Sequence, residues 1–274
     1  MPGIRSDERS STICPLVGAA VATLLCIGLL TSPINGIVIR HDRPDASYRV
    51  SIDDFPSLVL TNRPAAHGTL IASSWVLTAA HVAHRLKPGH LVAVGGQDVA
   101  VQTVRLHPGW RTPQTNLVDD IAVLELAEAV HGIEPTPIYR RRDEVGQVMI
   151  FAGRGGTGNG RDGLVARQGP YELLRKATNR VERADERWLV YHFDPPGRGT
   201  ELEGISGPGD SGGPAFLDVD GHRFLAGVSA WQDNRAQGQA GVYGVIEYYA
   251  RVSSYAGWID SVIGRAIGAV AGQN

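Results

Sequence analysis

The stretch GPGDSGGPAF, Gly207 to Phe216, sets one serine, Ser211, among four glycines with an aspartate directly before it. Glycines at this density let the backbone approach and turn in ways that side chains forbid. Such a serine has two readings. The letters Gly209-x-Ser211-x-Gly213 fit a sharp strand-to-helix turn that presents a nucleophile, but that turn needs a helix after the serine and its acid and histidine further along the chain. After Ser211 come Gly-Gly-Pro and an apolar strand, and the next histidine, His222, falls in the middle of a hairpin. The partners of Ser211 therefore lie upstream.

The surrounding pattern is of short strands and turns. In LVAVGGQDVAVQTV (91–104) a Gly-Gly turn separates an apolar run from an alternating one, and AFLDVDGHRFLAGV (215–228) repeats the design around Asp220-Gly221, so each predicts a β-hairpin. Regular βαβ spacing is absent. A single long helix is predicted at the C-terminus, about 252–268, where Trp258, Ile259, Val262, Ile263, Ala266 and Ile267 share a face. A chain of 274 residues with 43% hydrophobic residues can bury one large core or two modest ones. The formal charge of −2, without a Lys/Arg block, argues against a nucleic-acid partner.

The N-terminus predicts export. Arg5 and Arg9 precede a charge-free stretch from Ser10 to Ile39 whose apolar centre runs from Ile13 to Leu30, long enough for a cleaved signal or for a retained anchor. Residues 1–36 are read as this segment, and a membrane is a partner only if it is retained. Both cysteines, Cys14 and Cys26, lie in it, so a chain trimmed of it has no disulfide and no thiolate metal site.

Upstream of Ser211, SSWVLTAAHVAH (73–84) is an apolar strand running into Thr78-Ala79-Ala80-His81, and VDDIAVLEL (118–126) places Asp120 at the head of an alternating strand. His81 and Asp120 stand 39 residues apart, and Asp120 and Ser211 stand 91 apart. Thr-Ala-Ala-His, the Asp120 strand and Gly-Asp-Ser-Gly-Gly-Pro, in this order, resemble the chymotrypsin/trypsin family of serine proteases from about Ile37 onward. The resemblance implies an all-β fold of two packed antiparallel six-stranded barrels with a C-terminal helix. The first barrel would span about 37–143, the second about 144–250, within a domain of 37–274. It also implies a serine endopeptidase acting through an acyl-enzyme on protein or peptide substrates, open to a protein inhibitor and needing neither metal nor organic cofactor. A non-catalytic homologue serving as a binding module, and an esterase using the same residues, are the alternatives.

The roles follow from chemistry and resemblance together. Ser211 needs a base to take its proton, and an imidazole with an ordinary pKa near ~6.5 suits that task, so His81 is general base and then acid. Asp120 fixes the imidazole tautomer, and the backbone N–H groups of Gly209 and Ser211 form the oxyanion hole. Asp119 reads as a solvated loop carboxylate. Six residues before the nucleophile, at the pocket floor implied by the resemblance, stands Ile205. An isoleucine cannot pair with a cation, so basic residues are expected to fit poorly. Ser229, Ala230, Trp231, Gln232 and Gly241 are the expected pocket walls. Asp210 is expected to pair with the N-terminal ammonium of a chain cut before Ile37, with Arg40 as an alternative cation. Ala66, Val82 and Gly207 stand where many members of the family carry cysteines, so apolar packing must serve instead.

Overall fold

In a computed structural model, residues 36–62, 65–111, 118–166 and 173–271 are described, with only the backbone in the last turns of the final helix. The chain divides into two units, Met1–Ser32 and Pro33–Asn274, and every described residue belongs to the second. The predicted export segment thus lies outside the described residues, apart from Gly36.

Twelve strands carry the fold. Strands β1 (Leu58–Asn62), β2 (Ala65–Ala72), β3 (Trp75–Thr78), β4 (Leu91–Val94), β5 (Gln97–Leu106) and β6 (Ala122–Leu126) close into a barrel in the order β1-β2-β3-β6-β5-β4, with β4 returning to pair with β1. Helix α1 (Ala80–Ala83) follows β3 directly. Strands β7 (Val148–Gly153), β8 (Leu174–Arg180), β9 (Trp188–His192), β10 (Pro214–Val219), β11 (His222–Asp233) and β12 (Ile246–Arg251) form a second antiparallel, barrel-like sheet in the order β9-β12-β11-β10-β7-β8. Its ends meet where β8 packs against β9 and Asn179 Nδ2 donates to the His192 carbonyl (3.1 Å). Read cyclically, the second half repeats the strand order of the first.

Both predicted hairpins are present. Gly95 and Gly96 have φ of 55° and 77°, Asp220 and Gly221 have 51° and 80°, and the flanking residues pair as Val94 with Gln97 and Val219 with His222. Two consecutive left-handed residues give the turn whose twist matches that of the strands it joins. The C-terminal helix, α2 (Val252–Ala271), lays Trp258, Ile259, Val262 and Ile263 on a core shared with Trp75, Leu77, Ile121 and Phe216. That core draws on both halves. The segment after Gly36 belongs to the second half: Val38–Ile39 pairs with both Thr157–Asn159 and Gly204–Ile205, and Arg49–Val50 pairs with β8. The first barrel itself begins at β1.

Candidate active site

Asp120 sits two residues ahead of β6, wholly buried. Its neighbour Asp119 has φ 56° and its carbonyl accepts from the Ile121 N–H (2.8 Å), a tight turn that separates the two carboxylates. Asp120 Oδ1 accepts from the His81 backbone N–H (2.8 Å) and Oδ2 from the ring Nδ1–H (2.6 Å). A carboxylate only accepts, so the His81 proton resides on Nδ1 and Nε2 is left as the basic nitrogen. The first contact also satisfies an N–H in the opening turn of α1. Asp119 is not the solvated carboxylate expected from the sequence. It accepts from the Tyr255 hydroxyl (2.9 Å) and from Arg187 Nε (3.3 Å), because α2 and the 185–188 turn fold over it.

The serine segment is pressed against the end of β3, and this brings it to α1. The Ser211 carbonyl accepts from the His67 N–H (2.9 Å), the Gly212 N–H donates to the Ser229 carbonyl (2.9 Å), and the Ser229 N–H donates to Gly213 (2.8 Å). A Cβ on Gly212, which has φ 75°, would fall 2.3 Å from Thr78 Oγ1 and 2.4 Å from the His67 carbonyl, so no other residue fits there. Thr78 ends β3, and His81 is three residues on. Gly209 has φ 100°. Among the described residues, neither the Gly209 nor the Ser211 N–H donates a hydrogen bond.

Beneath this segment lies a histidine that sequence reasoning missed. His67, on β2 and 2% exposed, has both ring nitrogens engaged: Nε2 accepts from the Arg154 N–H (3.1 Å), so Nδ1 carries the proton and donates to the Gly209 carbonyl (2.9 Å). Burial holds its pKa below the ordinary value, opposed by the nearby charge of Asp210. The ring is therefore neutral and braces the Gly209 peptide. Its only sequence signal was a polar residue at a strand position just before a glycine.

Asp210 points away from solvent. Oδ2 accepts from the N–H groups of Ile37 (3.1 Å) and Gly207 (2.8 Å), and Oδ1 accepts from Gly155 (2.6 Å). Burial pushes its pKa up, and the nearby His67 ring and the bonds from the N–H groups of Gly207, Gly155 and Ile37 pull the other way. Gly153 and Gly155 leave room for it, since a Cβ on Gly153 would lie 2.1 Å from Oδ1. Ile37 is 1% exposed with φ 68°, an outlying conformation for a β-branched residue. Arg40, the expected alternative cation, instead grips Asp42 (2.6 Å) and the Thr200 carbonyl (2.9 Å), because Val38–Ile39 is clamped as a strand and carries Arg40 past Asp210. The cation that does lie near Asp210 is Arg175 of β8, whose Nη1 donates to the carbonyls of Gly36 (3.0 Å) and Ile37 (3.4 Å). Burial lowers its pKa to about 10.

The expected pocket residues divide. Ser229, Ala230, Trp231 and Gln232 follow one another along β11, where Ala230 is a bulge between the pairs Ser229–Tyr249 and Trp231–Tyr248. Trp231 stacks on Tyr248 with ring centroids 3.9 Å apart. Gln232 Nε2 donates across to the Ser206 carbonyl (2.6 Å). Ile205 is fully buried and packs with Val38, Phe193 and Val245. Gly241 instead abuts Leu164, where its Cβ would lie 3.0 Å from the Leu164 nitrogen, because the 240–244 segment lies against the start of the strand Gly163–Ala166 and the Leu164 N–H donates to the Ala240 carbonyl (3.2 Å). The group that reaches Ser206 from the following strand is Glu247 of β12, which sequence reasoning did not single out.

The trypsin family model matches residues 47–259. Among curated proteins, the chain is 27% identical to complement C1s subcomponent of Sus scrofa over 93% of its length and 40% of the relative's. It is 29% identical to trypsin of Simulium vittatum over 84% of this chain and 94% of that one, and 28% identical to trypsin 5G1 of Aedes aegypti over 79% and 84%. The chain thus spans about two-fifths of the complement relative and nearly all of the Simulium trypsin. The matched residues run from the strap ahead of the first barrel to α2 and take in His81, Asp120 and Ser211, which makes this chain a member of the trypsin family of serine proteases.

Proposed function

We propose that the chain is a serine endopeptidase that hydrolyses peptide bonds through an acyl-enzyme. The observation that carries this reading is the His81 ring, fixed at Nδ1 and at its own backbone N–H by one buried carboxylate, with Nε2 left basic. Ser211 Oγ attacks the peptide carbonyl carbon and passes its proton to Nε2, and Asp120 stabilises the imidazolium. The oxyanion of the tetrahedral intermediate takes hydrogen bonds from the otherwise unengaged N–H groups of Gly209 and Ser211. Collapse of that intermediate returns the proton to the departing amine and leaves an ester on Ser211. Water then repeats the sequence and releases the acid. Asp210 holds the oxyanion peptide in place once it is paired with Ile37, and residues 37–274 form the peptidase domain behind an export segment of residues 1–36.

A fluorophosphonate should label Ser211 alone, and Ser211→Ala should lower kcat by on the order of 10⁶ without loss of fold. Labelling with ester but no peptide turnover would select the esterase reading, and absence of labelling in protein beginning at Ile37 would select the non-catalytic one. N-terminal sequencing of protein recovered from outside the cell tests the export segment and its point of cleavage. Among the described residues no helix is long and apolar enough to cross a membrane.

A further inference from the structure

The residue directly before Asp120 is gripped from outside the first barrel. Asp119 has a left-handed backbone (φ 56°), its carbonyl takes the Ile121 N–H (2.8 Å), and the Ile121 carbonyl accepts from the His107 N–H (3.0 Å). Side chains other than asparagine and aspartate seldom hold that torsion. The carboxylate is met by several groups at once. Tyr255 of α2 donates its hydroxyl to Oδ1 (2.9 Å), Arg187 donates Nε to the same oxygen (3.3 Å), and Oδ2 lies so close to Gly109 that a Cβ there would stand 2.0 Å away. Tyr255 is buried, and burial together with the charge of Asp119 holds its phenol well above the ordinary range, so it remains a donor. His107 completes the group. Its Nδ1 accepts from the Gly109 N–H (3.1 Å), leaving the proton on Nε2, and its ring meets Tyr255 and Trp258 edge to face at centroid separations of 5.1 and 4.9 Å. Burial lowers its pKa against the pull of Asp119, so it is neutral, and among the described residues Arg187 is the cation that reaches Asp119.

Both donors to Asp119 belong to the second half. Arg187 sits in the 185–188 turn, where its carbonyl accepts from the Arg251 N–H at the end of β12 (2.8 Å), and Tyr255 lies four residues beyond Arg251 in the first turn of α2. Asp120, in contrast, is delivered by the first barrel, with both oxygens committed to His81. Asp119 and Asp120 share a rigid peptide plane, so rotation at Asp119 is carried directly to the Asp120 side chain. An outlying torsion persists only where the surroundings hold it. We propose that Asp119 is a positioning residue of the active site: through Tyr255 and Arg187 it locks the turn that aims Asp120 at His81, and it seats that pair against the half of the molecule that carries Ser211. The proposal deepens the endopeptidase reading and rests on it for its kinetic consequence. It makes α2, through one hydroxyl, part of the apparatus that orients the His81 imidazole.

Two substitutions separate the torsion from the grip. Asp119→Gly permits the left-handed backbone and loses every side-chain bond, whereas Asp119→Asn also permits it and keeps an oxygen for Tyr255 and Arg187. All proteins are compared in one form of the chain, below their melting temperatures. Asp119→Gly should lower kcat by about 10²-fold with KM changed by less than about threefold, the loss expected when a reacting group is displaced by about 1 Å. Asp119→Asn should stay within about fivefold of the wild type, and Tyr255→Phe should fall between the two. A second readout needs no turnover. The proton in the 2.6 Å bond between His81 Nδ1 and Asp120 is deshielded and protected from exchange, so the wild type should give a far-downfield proton resonance that Asp119→Gly loses and Asp119→Asn keeps. Loss of that resonance in Asp119→Gly, in a chain that cleaves no peptide, sustains the positioning role while removing the endopeptidase reading. A lower melting temperature in Asp119→Gly with kcat and the resonance unchanged would mean that the residue only stabilises the fold, and overturns the proposal. Equal losses in Asp119→Gly and Asp119→Asn overturn it as well.

Discussion

Cleavage of the Gly36–Ile37 bond should activate the enzyme, and the structure sets the size of the effect. In the uncut chain Asp210 is fully buried and accepts three backbone N–H groups, none of them charged, while Ile37 is held at φ 68°. Cutting before Ile37 turns the amide 3.1 Å from Asp210 Oδ2 into an ammonium and abolishes the torsion that was strained. Relief of one such torsion is worth about 1–3 kcal/mol. Supplying the missing partner of a buried charge is worth about 3–5 kcal/mol. Against these stands the loss of the Arg175 bond to the Gly36 carbonyl, about 1.5–3 kcal/mol for a charge-assisted contact. A net of about 1–6 kcal/mol, centred near 4, in favour of the ordered Asp210–Ser211 segment remains, and the central value is equivalent to on the order of 10²- to 10³-fold in the population competent to acylate. Two proteins should be compared, the full chain and one beginning at Ile37, by the second-order rate of fluorophosphonate labelling and by thermal unfolding. The trimmed protein should label at least ~100-fold faster and melt higher. Equal labelling rates would refute the argument and show that the uncut amide, with Arg175 behind it, already suffices.

Two predictions concern stability. Glu144 is wholly buried and accepts from Arg251 Nε (3.1 Å) and Ser253 Oγ (2.6 Å), and among the described residues the Arg251 guanidinium makes one further bond, from Nη1 to the Asp185 carbonyl (2.9 Å). Glu144→Leu should cost about 3–5 kcal/mol in urea unfolding, and adding Arg251→Leu should restore most of it; additive losses would show that the pair is not coupled. Glu203, which accepts from the Thr200 N–H (2.7 Å) and hydroxyl (2.8 Å), has its pKa pushed up by burial from 4.5 to about 7. A raised carboxyl pKa means that the folded state holds a proton the unfolded state releases, so its stabilisation is complete below pH 4.5 and is lost as the pH rises to about 7. Between pH 8 and pH 4.5 the wild type should therefore gain about 3 kcal/mol relative to Glu203→Gln, and parallel pH–stability curves would refute the assignment.

What was legible in the sequence is what local chemistry encodes. The Gly-Gly and Asp-Gly turns demand left-handed torsions whatever surrounds them, and both hairpins formed. The serine segment announced itself because its glycines are required by contacts at 2–3 Å, as Gly212 shows against Thr78 and His67. His81 and Asp120 were readable through the strands that deliver them. The misses are isolated polar residues whose meaning lies in distant partners. His67 acquires its role from Gly209 and Arg154, 142 and 87 residues away, and Asp119 from Tyr255, 136 residues away. Glu247 shares the buried face of its alternating strand with Tyr249, a position where a charged residue is not expected, and the Ser206 N–H that accommodates it lies 41 residues away.

The strap between Val38 and Val50 fixes an order of events in synthesis. The first barrel uses only residues 58–126 and can close once they have emerged, with all its strand partners within 70 residues of chain. Ile37 to Val50, made earlier, finds its neighbours in Thr157–Asn159, β8 and Gly204–Ile205, so it must wait for more than 150 residues to follow it. Closing contacts of such sequence separation is slow, and the apolar strand stays uncovered meanwhile. The earliest part of the domain to leave the ribosome is thus placed only after the first barrel has closed, and the Asp210 site is completed later still; a chain stalled before Ile205 would carry a finished first barrel beside a loose, adhesive N-terminal end.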